Sequence, residues 1–371
     1  MLKQDCVHFP GDRPCIYHKT QGIKCDDCSF YEPVSFKILI IKLDAVGDVL
    51  RTTSILNGLK EKYPLSHITW LTRKNATEIF YNNPFVNRVL ELENFETFYF
   101  LYSEFFDLVL NFDPSPISSA ICSYVKGKEK LGFGLDEKGK VFPLNEEAVE
   151  WFEMGAFDDL KKQNKKTYQS IILNIARIQT DNYPIILNLS PKELEFAKAF
   201  IKNHSIDTNK KIIGMNTGAG PRWKYKSWTY VGFENLTKMI LDNTDFYIFL
   251  YGGPYEKERN EKLSKINSTR IINTGTNNSL REFFALVSLC DLLVTGDTLA
   301  MHVATALKKK VIALFGPTSY NEIESYGLIA KIYSNLDCLV CYKTDCDFNP
   351  NCMNSIHHEQ VYNEIIKQIE N

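Results

Sequence analysis

Short apolar runs alternate with helical spacing in the first half of the chain. Residues 37–43, 67–71 and 107–112 are apolar enough to predict buried strands, and residues 49–59 and 117–125 repeat their apolar positions at helical intervals. Strands that alternate with helices favour a parallel sheet with right-handed crossovers. We therefore predict an α/β fold for this half.

The same alternation resumes after a more polar region and a linker at about 182–191. Its predicted strands are residues 211–216, 246–251, 270–273, 292–295 and 310–315. A helix at 168–178 is predicted before this linker. The predicted helices after the linker begin near residues 230, 255, 280 and 300, and a last one covers 359–369. Two α/β halves of similar size predict two nucleotide-binding-like domains with a ligand cleft between them.

Composition narrows the class of protein. The chain has 371 residues, 44% of them hydrophobic and 24% charged, with a net charge of -2. These values are typical of a globular protein and do not favour nucleic acid as a partner. The first residues lack a basic-then-apolar signal, and no run approaches the ~20 apolar residues that a membrane span needs. We therefore expect a soluble, cytoplasmic protein.

The chain has ten cysteines. In a reducing compartment, clustered thiols more often bind metal than form disulfides. Cys122 and Cys290 lie in apolar helical context and are predicted to be core residues. The other eight form two terminal groups: Cys6, Cys15, Cys25 and Cys28, then Cys338, Cys341, Cys346 and Cys352. Each group has enough thiolates for one tetrahedral zinc ion, with His8 and His18 as rival ligands at the first.

Two strand-to-helix junctions carry the candidate chemistry. Residues 42–50 (KLDAVGDVL) and 295–302 (TGDTLAMH) each follow an apolar run and open a helix. Ligands of open α/β sheets bind at such junctions, where helix N-termini favour anions.

Six motifs in order make the chain resemble glycosyltransferase family 9, the bacterial heptosyltransferases of the GT-B fold. They are LDAVGDVL at 43–50, TGAG with KSW at 217–220 and 226–228, GGPYE at 252–256, SLRE at 279–282, GDT through HVA at 296–304, and FGPT at 315–318. The departures are the Leu299-Ala300 pair and Thr229, neither of them charged. The resemblance covers about residues 36–330 and extends toward the tail.

The resemblance implies α/β domains of the GT-B type, two facing Rossmann-like units with a parallel sheet each. We expect a cysteine-rich segment at 1–35, an acceptor domain at 36–188, a nucleotide-sugar domain at 189–330, and a cysteine-rich tail with a helix at 331–371. The implied reaction is inverting transfer of heptose from ADP-heptose to a hydroxyl of lipopolysaccharide core or a related surface glycan.

Such a transfer needs a base near the attacking hydroxyl and cations near the departing diphosphate. Asp48 is the predicted base, although a first-turn Asp also caps helices. Lys226 is the predicted phosphate cation, with Lys224 and Arg222 as substitutes. Asp297 is the third predicted catalytic residue. No catalytic metal is expected.

Further site residues follow from the same motifs. The expected donor-binding residues are Thr217, Gly218, Lys226, Glu256, Glu258, Asp297, Thr298, Met301 and His302. The expected acceptor-binding residues are Asp44, Lys162 and Lys166, the two lysines belonging to a basic run at 161–166.

Three alternatives stay open. A protein O-heptosyltransferase of the autotransporter type would fit the cysteine groups, because some autotransporter heptosyltransferases that resemble this family carry an iron-binding cysteine cluster. Iron is therefore the second metal expected after zinc. A nucleotide-sugar binding module would lack turnover. A dinucleotide oxidoreductase is disfavoured, because the first strand does not lead into G-x-G-x-x-G. Transient contact with the inner membrane is expected for an acceptor carried there.

Overall fold

Two parallel β-sheets organise the chain, each in its own unit. The computed structural model describes residues 1–220 and 223–370, and for Lys224 the backbone alone. The first unit comprises Met1–Glu153 and Gln169–Tyr183, and the second comprises Met154–Tyr168 and Pro184–Asn371.

The sheet of the first unit has six strands in the order β3-β2-β1-β4-β5-β6. Their bounds are β1 Phe36–Ile41, β2 Ser66–Thr72, β3 Arg88–Glu91, β4 Phe105–Asn111, β5 Lys126–Leu135 and β6 Val141–Pro143. The strands β1 to β5 run parallel, and β6 is antiparallel to β5. Ile38 to Ile41 in the central strand are fully buried, as expected for a sheet covered on both faces.

The second sheet also has six strands, in the order β12-β11-β10-β7-β8-β9, and all of its pairings are parallel. Their bounds are β7 Ile212–Asn216, β8 Tyr247–Tyr251, β9 Ile271–Asn273, β10 Leu292–Gly296, β11 Lys310–Phe315 and β12 Ile329–Tyr333. The strand order reverses direction around β7 and β10, so the loops after these strands are the expected ligand position in an α/β sheet.

The α-helices of the described chain connect these strands. In chain order they are α1 Ile16–Gln21, α2 Val46–Thr52, α3 Leu56–Lys62, α4 Glu96–Ser103, α5 Pro116–Tyr124, α6 Val149–Ala156, α7 Asp158–Gln163, α8 Tyr168–Ile175, α9 Pro191–Asn203, α10 Tyr230–Asn243, α11 Lys257–Ser264, α12 Leu280–Val287, α13 Leu299–Ala306 and α14 His358–Glu370. No helix among the described residues is long and apolar enough to cross a membrane.

The predicted alternation of strands and helices is confirmed, and most predicted bounds differ from the observed ones by one to three residues. The predicted helix at 49–59 is two helices, α2 and α3, joined by a 3-10 turn at Thr53–Ile55. The polar region after residue 126 contains the strand β5, whose exposed lysines concealed it. Residues 126–132 of this strand pair with β4 alone, so this part keeps polar side chains in water.

Residues 154–168 belong to the second unit, whereas the expected boundary placed them in the first. The Asn321 side chain donates to the Asn164 carbonyl at 3.1 Å, and the Tyr168 N–H donates to the Glu322 carbonyl at 2.9 Å. These hydrogen bonds join the segment to the second unit. Sequence order alone does not indicate to which sheet a helical segment returns.

The predicted core cysteines are confirmed. Cys122 and Cys290 are fully buried, and burial raises the pKa of each thiol to about 12. A thiol in this state stays protonated and packs as a small apolar side chain.

Candidate active site

The loop that carries Lys226 crosses the carboxyl ends of the central strands of the second sheet. Gly296 ends β10, and a Cβ atom built there would lie 2.2 Å from the Lys226 carbonyl oxygen. Gly316 follows β11, and a Cβ atom there would lie 2.9 Å from the Tyr225 carbonyl oxygen. The motif glycines thus allow the loop to pack directly on the strand ends.

Lys226 and Asp297 form an ion pair at this edge of the sheet. The Lys226 Nζ lies 2.7 Å from an Asp297 carboxylate oxygen, and their side chains are 18% and 15% exposed. The Thr318 hydroxyl donates to the same carboxylate at 2.7 Å. Burial acts to raise the pKa of Asp297, but the charge and hydrogen bond of Lys226, the nearby His302 and the Thr318 hydroxyl outweigh it, so the pKa lies well below its usual range.

Asn216 connects the ends of β7 and β10 with the start of α13. Its side-chain amide donates to the Thr298 hydroxyl at 3.2 Å, the Thr295 hydroxyl at 3.0 Å and the Gly218 carbonyl at 2.9 Å. Thr298 is the residue preceding α13. The first turn of this eight-residue helix therefore has a fixed position beside Asp297, and helix N-termini favour anions.

Met301 and His302 lie in α13, whose residues from Ala300 to Thr305 are all buried. Met301 is fully buried and His302 is 6% exposed. Both are predicted to contact the donor, and His302 lies close enough to Asp297 to lower the pKa of that carboxyl group.

Glu256 lies against the glycine motif at the end of β7. A Cβ atom at Gly218 would overlap the Glu256 carboxylate, and the Gly253 N–H donates to that carboxylate at 2.8 Å. The structure thus brings Gly218 and Glu256 together, two residues that are each predicted to bind the donor. Glu258 is elsewhere: its side chain is 82% exposed and pairs with Lys262 one turn along α11.

Thr217 is fully buried, and its hydroxyl donates to the Asn260 side chain at 2.6 Å. Its carbonyl accepts a hydrogen bond from Arg259, whose guanidinium also donates to the Ser227 hydroxyl at 2.9 Å. The sequence analysis did not select Arg259. Arg259 therefore holds the loop that contains Lys226 against α11. The one signal in the sequence that could have selected Arg259 is its position in the first turn of a helix that follows a strand.

In the first unit, Asp48 occupies the first turn of α2. Its carboxylate accepts from the Ala45 N–H at 3.4 Å and lies 2.9 Å from the Arg51 guanidinium. The side chain is 37% exposed. Asp48 therefore caps its helix and still presents a carboxylate to solvent, so both roles weighed for it are compatible with this geometry.

Asp44 contributes to a charged cluster beside α2. Arg73 lies 2.6 Å from the Asp44 carboxylate and 2.9 Å from that of Glu93. Both hydrogen bonds raise the pKa of Arg73, and the one to Asp44 has the larger effect. Asp44 is thus held in place while its side chain stays 52% exposed.

Lys42 and Asp113 form a buried pair that the sequence analysis missed. Their side chains are 6% and 11% exposed, and Asp113 also accepts from the Leu43 N–H. Asp113 comes two residues after β4, so its position at a strand end was the available signal. The pair anchors the backbone that leads from β1 to Asp48.

Lys162 and Lys166 lie in the second unit. The Lys162 ammonium donates to the Asp337 carbonyl at 2.7 Å, and both side chains are exposed. The neighbouring Lys161 lies 4.3 Å above the Tyr342 ring. The basic run therefore packs beside the cysteine-rich tail.

Of the two candidate substitutes for Lys226, Arg222 lies outside the described residues, and so does the side chain of Lys224.

The two cysteine groups differ in surroundings. All four N-terminal cysteines line one cavity of about 630 Å³ within residues 1–31. In the C-terminal group, the pKa of Cys352 is raised to about 11. Burial is the main cause, and the neighbouring thiols of Cys341, Cys346 and Cys338 act in the same direction. Among the described residues, no three or more His, Cys, Asp or Glu side chains form a metal-holding arrangement.

Comparison with known proteins first defines the class of fold. The structure of a glycosyltransferase family 9 protein from Veillonella parvula has a TM-score of 0.73 at 17% identity, covering 92% of this chain and 99% of that one. Escherichia coli ADP-heptose lps heptosyltransferase II has a TM-score of 0.65 at 18% identity, covering 90% and 98%. The iron-containing dodecameric glycosyltransferase TibC from enterotoxigenic E. coli has a TM-score of 0.56 at 11% identity, covering 91% and 79%. The fold is that of GT-B heptosyltransferases.

Sequence comparison then gives the family. The family model "Glycosyltransferase family 9 (heptosyltransferase)" matches residues 100–351, and the chain belongs to this family of glycosyl-transferring enzymes. Lipooligosaccharide heptosyltransferase 2 of Campylobacter jejuni is 25% identical over 212 residues, 56% of this chain and 66% of that protein. Lipooligosaccharide heptosyltransferase 2 of Haemophilus influenzae is 25% identical over 309 residues, 76% and 84%. The resemblance inferred from the six motifs is confirmed.

Proposed function

We propose that this chain transfers heptose from ADP-heptose to a hydroxyl of lipopolysaccharide core or a related surface glycan. Family membership and the names of the relatives support the reaction class. The observation that carries the proposal is the Lys226–Asp297 pair, held at the carboxyl ends of β7, β10 and β11. We assign donor binding to the second unit and the acceptor base to the first.

The donor side needs positive charge where the nucleotide diphosphate leaves. Lys226 supplies a point cation, and the first turn of α13 supplies amide dipoles beside it. A bound diphosphate would compete with Asp297 for the Lys226 ammonium. Asp297 would then accept hydrogen bonds from hydroxyls of the sugar, and Glu256 would accept those of the ribose.

The acceptor side needs a base for the attacking hydroxyl. Asp48 fits this role because its exposed carboxylate is oriented by the Ala45 N–H and Arg51. The hydroxyl attacks the anomeric carbon, the proton passes to Asp48, and the bond to the diphosphate breaks, so the configuration inverts.

Turnover tests the base. Asp48→Asn should lower kcat by about 10²–10⁴-fold, as the loss of a general base does, while an ADP-heptose thermal shift persists. The matched control is Asp158→Asn, because Asp158 is also a first-turn Asp with a cation three residues on, Lys161 at 3.5 Å. Equal turnover of the two variants would exclude Asp48 as the base. Absent turnover in the unsubstituted chain would favour a binding module.

A ligand panel tests the donor. ADP-heptose should raise the melting temperature, and Lys226→Ala should abolish that rise while Lys238→Ala, an exposed helix position, keeps it. A response to UDP- or GDP-sugars with none to ADP-heptose would contradict the donor assignment.

The acceptor assignment rests on Asp44, Lys162 and Lys166. Their exposed charges suit an anionic sugar or phosphate on the acceptor. Lys162→Ala with Lys166→Ala should raise the KM for acceptor and leave that for donor unchanged, with Lys198→Ala as the control. An unchanged acceptor KM would remove these lysines from the site.

We place the reaction in the cytoplasm, at the inner face of the membrane.

A protein acceptor is the second candidate, favoured by the fold shared with TibC and by the cysteine groups. Incubating the enzyme with ADP-heptose and either truncated lipopolysaccharide or a purified autotransporter passenger separates the two. Transfer to the passenger alone would replace the first proposal.

We further propose that the cysteine groups bind structural zinc or iron. Four thiolates per group suit a tetrahedral metal, and the N-terminal four share one cavity, so the donor set fits although the side chains do not surround a common point. Metal analysis of protein purified without chelator should find bound metal that Cys25→Ser and Cys338→Ser each reduce. Eight rapidly alkylated thiols in native, metal-free protein would exclude it.

A further inference from the structure

The helix α4 presents an aromatic surface to solvent, which is the reverse of the usual arrangement. Its Thr97 and Leu101 are 2% and 1% exposed and pack inward. The outward positions are aromatic: Phe95, Phe98, Tyr99 and Tyr102 are 70%, 41%, 64% and 61% exposed. Large exposed apolar patches on soluble units mark binding surfaces.

Neighbouring elements extend this surface. The Tyr124 ring at the end of α5 lies 5.8 Å from that of Tyr102, and the Lys126 ammonium lies 5.3 Å from the Tyr102 ring. Lys128 is exposed two residues further along β5, in the part of this strand that pairs with β4 alone. We call Phe98, Tyr99, Tyr102, Tyr124, Lys126 and Lys128 the aromatic-lysine patch.

The charge of the patch is positive. Of the acidic side chains around it, Glu104 is paired with Arg88 and Lys37, and Glu129 lies 3.4 Å from Arg177. Glu96 is exposed in the first turn of α4. The two exposed lysines on β5 therefore set the sign of the field beside the tyrosine rings.

We infer that the aromatic-lysine patch docks the first unit onto an anionic membrane surface. Tyrosine rings prefer the headgroup level of a bilayer, where the ring is buried and the hydroxyl stays wet. Lysines beside them attract acidic lipids. A protein interface is disfavoured, because lysine is depleted from the cores of such interfaces.

This inference deepens the proposed function, because an acceptor carried on a lipid must be reached at a membrane. Its test measures binding without turnover. The two can therefore fail separately.

The experiment is flotation of the full chain with vesicles of phosphatidylcholine alone or with about one third phosphatidylglycerol. We expect retention on the anionic vesicles, weakened by high salt. Lys126→Glu with Lys128→Glu should lower partitioning about tenfold or more, since each lysine near an acidic surface contributes about a fivefold factor. Tyr99→Ser with Tyr102→Ser should lower it as well. The control is Leu194→Ser with Lys198→Glu on the exposed face of α9.

Three results would overturn the inference. They are no retention of the unsubstituted chain, equal retention of the patch and control variants, or a dimer in sedimentation that only the patch variants dissociate. Turnover on a deacylated, water-soluble acceptor should be the same in the patch variants and the unsubstituted chain, because the patch contains no proposed site residue. Loss of that turnover would count against a pure docking role.

Discussion

The Lys226–Asp297 pair allows a stability prediction that does not depend on substrate. Lys226→Met removes the cation but keeps most of the side-chain length, and Asp297 retains the hydrogen bond from the Thr318 hydroxyl. Breaking a buried pair costs about 3–5 kcal/mol, and we expect about 2–3 kcal/mol because these side chains keep some exposure. For a unit of about 200 residues this lowers Tm by about 4–12 °C.

The pH dependence of this loss follows from the pKa of Asp297. In the unsubstituted chain the folded pKa is depressed, so the pair stabilises the fold above the ordinary carboxylate pKa and loses its effect only as the pH falls through the folded value. In Lys226→Met, burial is the largest remaining influence on the Asp297 carboxyl, and burial raises the pKa of this group. The carboxyl then protonates more readily, and the deficit should shrink between pH 7.5 and pH 5.

Thermal unfolding at the two pH values measures the deficit. The double variant Lys226→Met with Asp297→Asn should recover much of the lost stability, since it buries no unpaired charge. Lys238→Met, at an exposed position, is the control and should change little. A deficit independent of pH, or no recovery in the double variant, would refute the assigned role of this pair.

Two further predictions concern close packing and the first unit. Gly296→Ala should lower Tm and weaken donor binding, because its Cβ would lie 2.2 Å from a carbonyl oxygen, whereas Gly155→Ala in α6 meets nothing within 4 Å and should be neutral or slightly stabilising. Equal Tm values would contradict the packing argument. Asp113→Asn should cost about 3–5 kcal/mol of unfolding free energy by leaving the Lys42 charge without its carboxylate, against about 0.5 kcal/mol or less for the exposed Asp12→Asn. Chemical denaturation compares them, and similar losses would show that the Lys42 pair contributes little.

Several elements could be predicted because a local pattern determines them. The predicted strand 310–315 is β11 itself, and the predicted tail helix 359–369 is α14 to within one residue at each end. Apolar runs and helical spacing are short-range signals, and both sheets bury their central strands on two faces.

The candidate site was predicted in part. Motif order assigned Lys226, Asp297, Gly218 and Glu256 to one donor site. The structure pairs Lys226 with Asp297 and packs Gly218 against Glu256. Glu258 was selected with Glu256 because both follow the same glycines. The capping glutamate and the exposed one are only two residues apart, and spacing alone does not fix which side chain turns back toward the loop.

The amino-acid sequence by itself determined the two α/β halves, the strand-end motifs and the family, because each depends on neighbours within a few residues or on the order of motifs. Only the tertiary structure decided that residues 154–168 join the second unit, that Arg259 and Asp113 support the two strand-end loops, and that α4 turns its aromatic side outward. These features depend on contacts between residues far apart in the chain. No local pattern records which distant backbone carbonyl or carboxylate a side chain will meet.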